Sequence, residues 1–182
     1  MPSIHASHPV FAPIAFECNG IDEAIYSPGV KIGNLINVST AENFLPIPAF
    51  SGGGSVFKDA AIAVNTTSVP IGAYELMFGM KINGNVLKDP PKVGVWGGFG
   101  YIEGNINSEC KYEVVVTWIK RCIFTPPAIS RVSRYNGKVT LTTPSFIGKA
   151  LNDGSKEWRE RSVFDTSAQA IEFLKFKAGI RE

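Results

Sequence analysis

The amino-acid sequence predicts a mainly β fold, an antiparallel β-barrel or sandwich with one short internal helix and one C-terminal helix. Its 182 residues suit a single domain, 1–182, large enough to bury a core without disulfides or metals. Eighteen glycines and twelve prolines are spread along the chain and indicate the frequent turns that short antiparallel strands require. Lys111–Phe124 is rich in β-branched and aromatic residues, which makes this segment the most clearly predicted strand.

The N-terminal region predicts irregular β-structure. We expect residues 1–10 to form a flexible arm, followed by the apolar, proline-broken stretch Phe11–Glu17 as a continued arm or a first edge strand. A turn is predicted at Tyr26–Gly29. The run Val30–Val38 then predicts a strand, in which Gly33 marks a bulge.

The segment Ser39–Ser55 has no regular apolar pattern. It reads STAENFLPIPAFSGGGS, and its two prolines and three consecutive glycines predict a long loop or a mobile hairpin. Long loops in compact domains are usually functional or disordered. The glycines do not indicate a phosphate-binding loop, since no Lys-Ser or Lys-Thr pair follows them and no strand-to-helix context surrounds them.

The next segments predict a strand and then a short helix. Val56–Val64 is strand-like. Ser68 is placed to cap a helix that has Pro70 in its first turn, where the missing N–H of proline is tolerated. The helix is predicted to continue through Phe78 and to stop at Gly79, a residue that favours the left-handed conformation of a helix end.

The second half of the chain predicts four more strand segments. Val93–Glu103 is rich in glycine and aromatic residues, which allows the curvature of a barrel wall. In Lys111–Phe124, alternation places four side chains on one face: Tyr112, Val114, Val116 and Trp118. Lys138–Ile147 is a strand interrupted at Pro144, and Trp158–Phe164 is a last extended segment.

The C-terminal segment predicts an amphipathic helix. Thr166 and Gln169 have the spacing of a capping box, and Asp165 places a favourable negative charge at the helix start. Gly179 ends the helix. Helical spacing gives one apolar face, consisting of Ala170, Ile171, Phe173, Leu174 and Ala178, and we expect this face to pack on the core.

Composition and charge exclude several protein classes. Hydrophobic residues make up 45% and charged residues 19%, as in folded globular proteins and unlike disordered ones. The apolar runs are too short to cross a bilayer, and the first residues do not form a secretory signal, so we expect the protein to stay in the cytoplasm. Residues 1–91 carry four lysines against seven acids, whereas residues 92–182 carry fourteen basic residues against nine acids. The basic residues are scattered, which is not a nucleic-acid-binding pattern.

The residue types that support catalysis or metal binding are scarce. Cys18, Cys110 and Cys122 have no CxxC spacing and are odd in number, so reduced thiols are expected. His5 and His8 are the only histidines and have no third ligand nearby. We therefore expect no catalytic residue, no cofactor and no metal site, and we predict that the protein is not an enzyme.

The three tryptophans leave one alternative open. Trp96, Trp118 and Trp158 could line the ligand cavity of a barrel. Aromatic residues on barrel strands are more often core, and a ligand site also needs converging polar groups that the sequence does not provide. The residues alone therefore indicate a β protein that binds another molecule or assembles with copies of itself.

Six stretches of the chain share their order and spacing with one known family. They are YSPGVKIGNLINVSTAENFLPIPAF, FKDAAIAVNTTSVPIGAYELMFG, VGVWGGFGYIEG, KYEVVVTWIKRCIFTPP, VTLTTPSFIGKAL and WRERSVFDTSAQAIEFLKFKAGI. In this order the chain resembles the major tail (tail tube) protein family of long-tailed, non-contractile phages of Gram-positive bacteria. The resemblance covers about residues 10–180. Within the fifth stretch, Thr143, Pro144 and Gly148 match the family pattern.

The resemblance implies a tail-tube fold and a structural role in the virion. Such subunits form rings, typically hexameric, that stack into a tube around the tape-measure protein and contact the tail terminator and tail-tip proteins. Phage DNA passes through without specific binding, no membrane is involved, and assembly takes place in the host cytoplasm. The family also implies that residues 39–55 are an assembly loop between rings. We assign the contacts to Asn43, Phe44, Leu45, Ala49, Phe50, Ser51, Gly52, Gly53 and Gly54.

One departure from the family concerns this loop. Family members often carry an acidic residue where this chain has Ala49-Phe50-Ser51 and then three glycines, so the inter-ring contact is expected to be made differently here. Two alternatives remain. One is the tube protein of a tailocin, a gene transfer agent or a secretion system, and the other, from a different class, is a small-ligand-binding β-barrel.

Overall fold

A computed structural model of the protein describes residues 3–16, 25–84, 86–88, 94–127, 134–135, 138–139, 143–152 and 157–180. Its elements, in chain order, are β1 Ser3–Phe16, β2 Ile25–Tyr26, β3 Val30–Lys31, β4 Leu35–Pro46, β5 Ser55–Thr66, α1 Ile71–Phe78, β6 Lys81–Asn83, β7 Val86–Lys88, β8 Gly97–Ile106, β9 Tyr112–Phe124, β10 Arg134–Tyr135, β11 Lys138–Val139, β12 Ser145–Leu151, β13 Arg159–Phe164 and α2 Ser167–Lys177.

Nine strands form one antiparallel sheet. Its hydrogen-bonded order is β2-β1-β8-β9-β12-β5-β4, with β3 also paired to β1 and β13 to β9. β4, the last strand in this order, is separated by only residues 32–34 from β3, which pairs with β1 near the other end. The two ends of the sheet therefore come together, as in a barrel or sandwich. Together with the two helices, this arrangement confirms the predicted mainly β fold.

The inner face of the sheet encloses an aromatic core. Phe124 lies at its centre, with ring centroids 6.2 Å from Phe11, 5.2 Å from Phe99 and 5.4 Å from Phe146. Phe78 of α1 extends the cluster, with its ring 6.0 Å from that of Phe146. Since all five rings are buried, the interior is filled by side chains.

The outer face of β1, β8 and β9 is covered by α2. The alternation predicted for β9 is confirmed for three of its four residues, because Val114, Val116 and Trp118 share one buried cluster with side chains of α2. The fourth residue, Tyr112, is exposed. Trp118 also donates a hydrogen bond from Nε1 to the Tyr26 hydroxyl, 3.2 Å away. This tryptophan is therefore part of the core and does not line a ligand cavity.

The helix ends agree with the prediction in three of four cases. Thr166 Oγ1 accepts a hydrogen bond from the Gln169 backbone N–H at 3.4 Å, and Gly179 follows the end of α2 with φ 63°. Gly79 ends α1 with φ 71°. The prediction of Ser68 as a cap is wrong: Pro70, with φ −60° and ψ 149°, is the N-cap residue and offers no side-chain acceptor.

Some predicted boundaries also change. Residues 3–10, expected as a flexible arm, belong to β1 and pair with β8, so that part of the prediction is wrong. The continuous strand expected over Val30–Val38 is broken at Gly33, whose φ of 47° turns the chain between β3 and β4. Lys138–Ile147 divides between β11 and β12, and residues 140–142 lie outside the described residues. The hydrogen-bonded pairing with neighbouring strands decides where these strands begin and end, and the local residue pattern does not.

Candidate assembly surface

The segment predicted as an assembly loop is mostly an ordered hairpin. β4 and β5 pair from Leu35–Thr66 to Pro46–Ser55, so residues 39–46 are strand and the loop interpretation is wrong for them. The hairpin alternative agrees with this strand pairing, but the hairpin is ordered where a mobile one was expected. Pro46 is compatible with this pairing because it is the last residue of an edge strand, where no ladder N–H is needed.

The far end of this hairpin projects beyond the sheet. β12 pairs with β5 only as far as Asp59, opposite Leu151, and β4 is the last strand of the pairing path. The segment Phe44–Phe57, which we call the distal hairpin, therefore extends past its neighbour by roughly 10 Å plus the turn. Among the described strands, only β5 pairs with β4. The outer edge of β4 is therefore an open hydrogen-bonding edge in this part of the structure.

The turn at the tip has a defined conformation. Pro48 O accepts hydrogen bonds from the backbone N–H groups of Ser51 at 2.9 Å and Gly53 at 3.3 Å. Ile47 N–H donates to Gly54 O at 2.9 Å and closes the turn. The three consecutive glycines have φ of 99°, 68° and 101°, a region that other residues enter only with strain. The triple glycine is thus explained by backbone geometry.

The distal hairpin exposes apolar side chains and carries no charge. Phe50 at the tip is 92% exposed, and Phe44, Leu45 and Val56 are each about half exposed. No Asp, Glu, Lys or Arg occurs in Phe44–Phe57. Several exposed large apolar side chains on one uncharged projection are typical of a contact with another molecule. Eight of the nine predicted contact residues lie in this segment, and the ninth, Asn43, lies at its base.

A buried carboxylate holds the base of the hairpin. Asn43 Nδ2 donates a hydrogen bond to Asp59 Oδ1 at 2.6 Å, and Lys149 Nζ of β12 lies 2.9 Å from Asp59 Oδ2. The hydrogen bond from Asn43 and the contact with Lys149 together lower the pKa of Asp59 below its usual 3.8. The Asn43 side chain therefore serves the subunit's own hairpin.

Stacked side chains hold the hairpin on a second side. Phe57 stacks on Trp158, with centroids 4.9 Å apart and planes 2° from parallel, and Phe44 meets Phe57 edge-on at 6.2 Å. Arg159 lies over the Trp158 ring at 4.6 Å and forms a 2.8 Å ion pair with Glu42 of β4. The projecting segment therefore has a fixed base, a form of preorganisation that lowers the entropy lost in any docking contact.

Replacing Asp59 by asparagine should remove an acid-dependent part of the stability. A lowered pKa in the folded state means that the ionised carboxylate stabilises the fold above pH 3.8, and that this contribution is lost as the pH falls through the lower folded pKa. At neutral pH the Asp59→Asn variant is expected to be less stable than the wild type, and the difference should shrink below pH 3.8. Urea unfolding across pH measures this, and a constant difference would contradict it.

These anchoring residues were not predicted from the sequence. Asp59, Lys149, Glu42 and Arg159 come from four different strands, and no local motif relates them. Of the two interpretations offered for Trp158, core packing agrees with the structure, since the ring is buried against Phe57, a contact that the sequence did not predict. The signal available was weak: Asp59 directly precedes the apolar run Ala60–Val64, and a carboxylate needs a partner when it is buried.

Other candidate chemistry is limited in the part of the chain that the structure describes. Within these ranges, no group of three or more His, Cys, Asp and Glu side chains could hold a metal ion. Cys110 is exposed, and Cys122 is buried, which raises the pKa of its thiol well above the usual value. Cys18 and the His5 side chain lie outside the described part. None of the described helices is both long and apolar enough to span a membrane.

Comparisons with known proteins do not assign the chain to a family. No protein-family model matches it, and no curated protein sequence is significantly similar to it.

Proposed function

We propose that this protein is the self-assembling subunit of a phage tail tube and that rings of it stack through the distal hairpin. The observation that carries the proposal is an uncharged apolar hairpin, Phe44–Phe57, that projects from the sheet on an anchored base. The ordered family resemblance in the sequence supports the same role. Neither observation depends on a catalytic group, and the proposed role is structural.

The energetics of the hairpin suit cooperative stacking. Burial of one large apolar side chain contributes roughly 1.5–3 kcal/mol, while association costs about 4–15 kcal/mol in lost freedom. The exposed side chains of a single hairpin therefore offset this cost only marginally. Several hairpins in one ring dock together and act multivalently, so a ring should stack far more tightly than one subunit. Premature association of monomers is thereby disfavoured.

The open edge of β4 provides a second assembly contact. An unpaired edge strand is an aggregation hazard that closure into a ring removes. We propose a ring, hexameric as in the resembled family, stacked into a tube that houses the tape-measure protein and meets the tail terminator and tail-tip proteins. Its location is then the virion. A lumen that transmits DNA should avoid tight phosphate contacts, so inward-facing residues are expected to be neutral or acidic.

The related assemblies remain alternatives of the same class. A tube of a tailocin, a gene transfer agent or a secretion system would use the same hairpin and edge contacts. The different-class alternative, a ligand-binding barrel, requires an enclosed apolar cavity. The aromatic rings around Phe124 fill the barrel interior, and this favours assembly over ligand storage there.

Negative-stain electron microscopy of the concentrated protein tests the proposal. Tubes or stacked rings are the expected result. A protein that stays monomeric at high concentration, even with virion components added, would contradict self-assembly. A strongly positive bore in an assembled ring would contradict passive conduction of DNA.

A further inference from the structure

The hairpin formed by β6 and β7 is set apart from the main sheet. Among the described strands, these two pair only with each other, with Lys81 opposite Lys88 at one end and Asn83 opposite Val86 at the other. A single two-stranded hairpin is marginally stable in water, and like charges directly opposite each other weaken it further. We therefore expect this hairpin to open more readily than the strands of the nine-stranded sheet.

The turn of this hairpin begins with an Asn-Gly pair. Asn83 and Gly84 are both exposed, and Gly84 has a φ of 59°. Apart from its two chain neighbours, no described atom lies within 4 Å of the position that a Cβ at Gly84 would take. Because glycine has no side chain of its own, nothing at position 84 hinders an approach of its backbone nitrogen to the preceding side chain.

An asparagine followed by glycine can be converted without an enzyme or a cofactor. The deprotonated backbone nitrogen of Gly84 attacks Cγ of Asn83, the Cγ–Nδ2 bond breaks, and ammonia leaves from a five-membered succinimide ring. Water then opens the ring at either carbonyl and gives an aspartyl or an isoaspartyl residue. Water is the only co-reactant, and no electrons are transferred. This chemistry makes asparagine a thermolabile residue.

We propose that Asn83 is a site of spontaneous deamidation and that opening of the β6–β7 hairpin permits the reaction. Side chains two residues apart in a strand share a face, so position 83 lies on the same face as Lys81 and its partner Lys88. The carboxylate of the product therefore faces two cations, which favours its charged form and lowers the local positive charge. The inference goes beyond tube assembly and does not depend on it, because it uses neither the distal hairpin nor the edge of β4.

Peptide mapping of the folded protein by mass spectrometry, after prolonged incubation, tests the proposal. Trypsin releases residues 82–88, INGNVLK, in which fragment ions distinguish Asn83 from Asn85, an asparagine that precedes valine. At mildly alkaline pH, Asn83 is expected to convert at least about tenfold faster than Asn85 or than Asn43, whose side-chain amide is hydrogen-bonded in β4. The rate should rise with hydroxide concentration, because the attacking nitrogen must first lose its proton.

Two variants separate the chemistry of the side chain from the opening of the hairpin. Asn83→Gln keeps a side-chain amide but would require a six-membered ring, so conversion at this position should fall at least about tenfold. Lys88→Glu replaces the like-charge pair by an attractive one, which holds the hairpin closed and should slow the conversion of Asn83 roughly two- to fivefold. Lys31→Glu, on β3 outside the hairpin, is the matched control and should leave the rate unchanged.

Each other outcome overturns the proposal. An unmodified Asn83 after prolonged alkaline incubation would show that the folded hairpin protects it. Equal rates at Asn83, Asn85 and Asn43 would show that the Asn-Gly turn has no special reactivity. Equal rates in the wild type and in Lys88→Glu would show that opening of the hairpin does not control the reaction. Tube formation can succeed or fail independently of each of these results.

Discussion

Replacing Phe50 by serine is expected to abolish tube formation while the subunit stays folded. Phe50 is 92% exposed and has no role in the core, so the free energy of unfolding should change by less than about 0.5 kcal/mol. If the Phe50 side chain is buried between two stacked rings of subunits, its loss weakens the binding free energy by roughly 1.5–3 kcal/mol per hairpin. This corresponds to a factor of about ten or more in affinity. Negative-stain images and sedimentation velocity, with circular dichroism for folding, measure the two effects.

The matched control is Phe176→Ser on α2. Phe176 is also strongly exposed, at 82%, but it lies on the helix and not on the hairpin. We expect this variant to form tubes like the wild type. Equal loss of tubes in both variants would show that exposed apolar surface in general drives association. Normal tubes in Phe50→Ser would remove the hairpin tip from the assembly contact.

Replacing Trp158 by alanine is expected to have the largest effect on the hairpin base. The ring is buried between Phe57 and Arg159, and truncating a buried tryptophan costs about 3–5 kcal/mol. Loss of the stack should also loosen the distal hairpin, because Phe44 packs on Phe57 in turn. Chemical denaturation measures the stability, and hydrogen exchange over Phe44–Phe57 measures the loosening.

Trp96→Ala provides the comparison for this variant. Trp96 is half-buried, lies away from the hairpin and packs against Arg121, 5.0 Å from its ring centroid. Its replacement should lower stability less and leave exchange in the distal hairpin unchanged. If Trp158→Ala destabilised the protein while exchange in Phe44–Phe57 stayed as in the wild type, the stacked rings would not be the hairpin's support.

Local features of the fold were predictable because their causes lie within a few residues. The Thr166–Gln169 cap depends on a spacing of three, and Gly79 ends a helix through its own backbone freedom. Alternation groups Val114, Val116 and Trp118 on one face of β9, whereas the packing of α2 on that face is decided by tertiary structure. The cap of α1 was missed because Pro70, two residues after Ser68, already defines where that helix starts.

The conformation of residues 39–55 could not be predicted from their sequence. Their prolines and glycines fit a loop as well as a hairpin. The choice depends on contacts from distant strands: Lys149 with Asp59, and Trp158 with Phe57. The residue pattern of the segment cannot reveal those partners, since they lie about ninety to one hundred residues further along the chain.

The sequence by itself determined the mainly β class, the cap of α2, the glycines that end both helices, the uncharged composition of the distal hairpin and the scarcity of catalytic side chains. These properties depend on residue type and on near neighbours in the chain. Only the tertiary structure decided that the hairpin is ordered and how its base is anchored. Those properties arise from pairs of surfaces brought together across the sheet, and the free energy of such contacts exists only once the chain has folded.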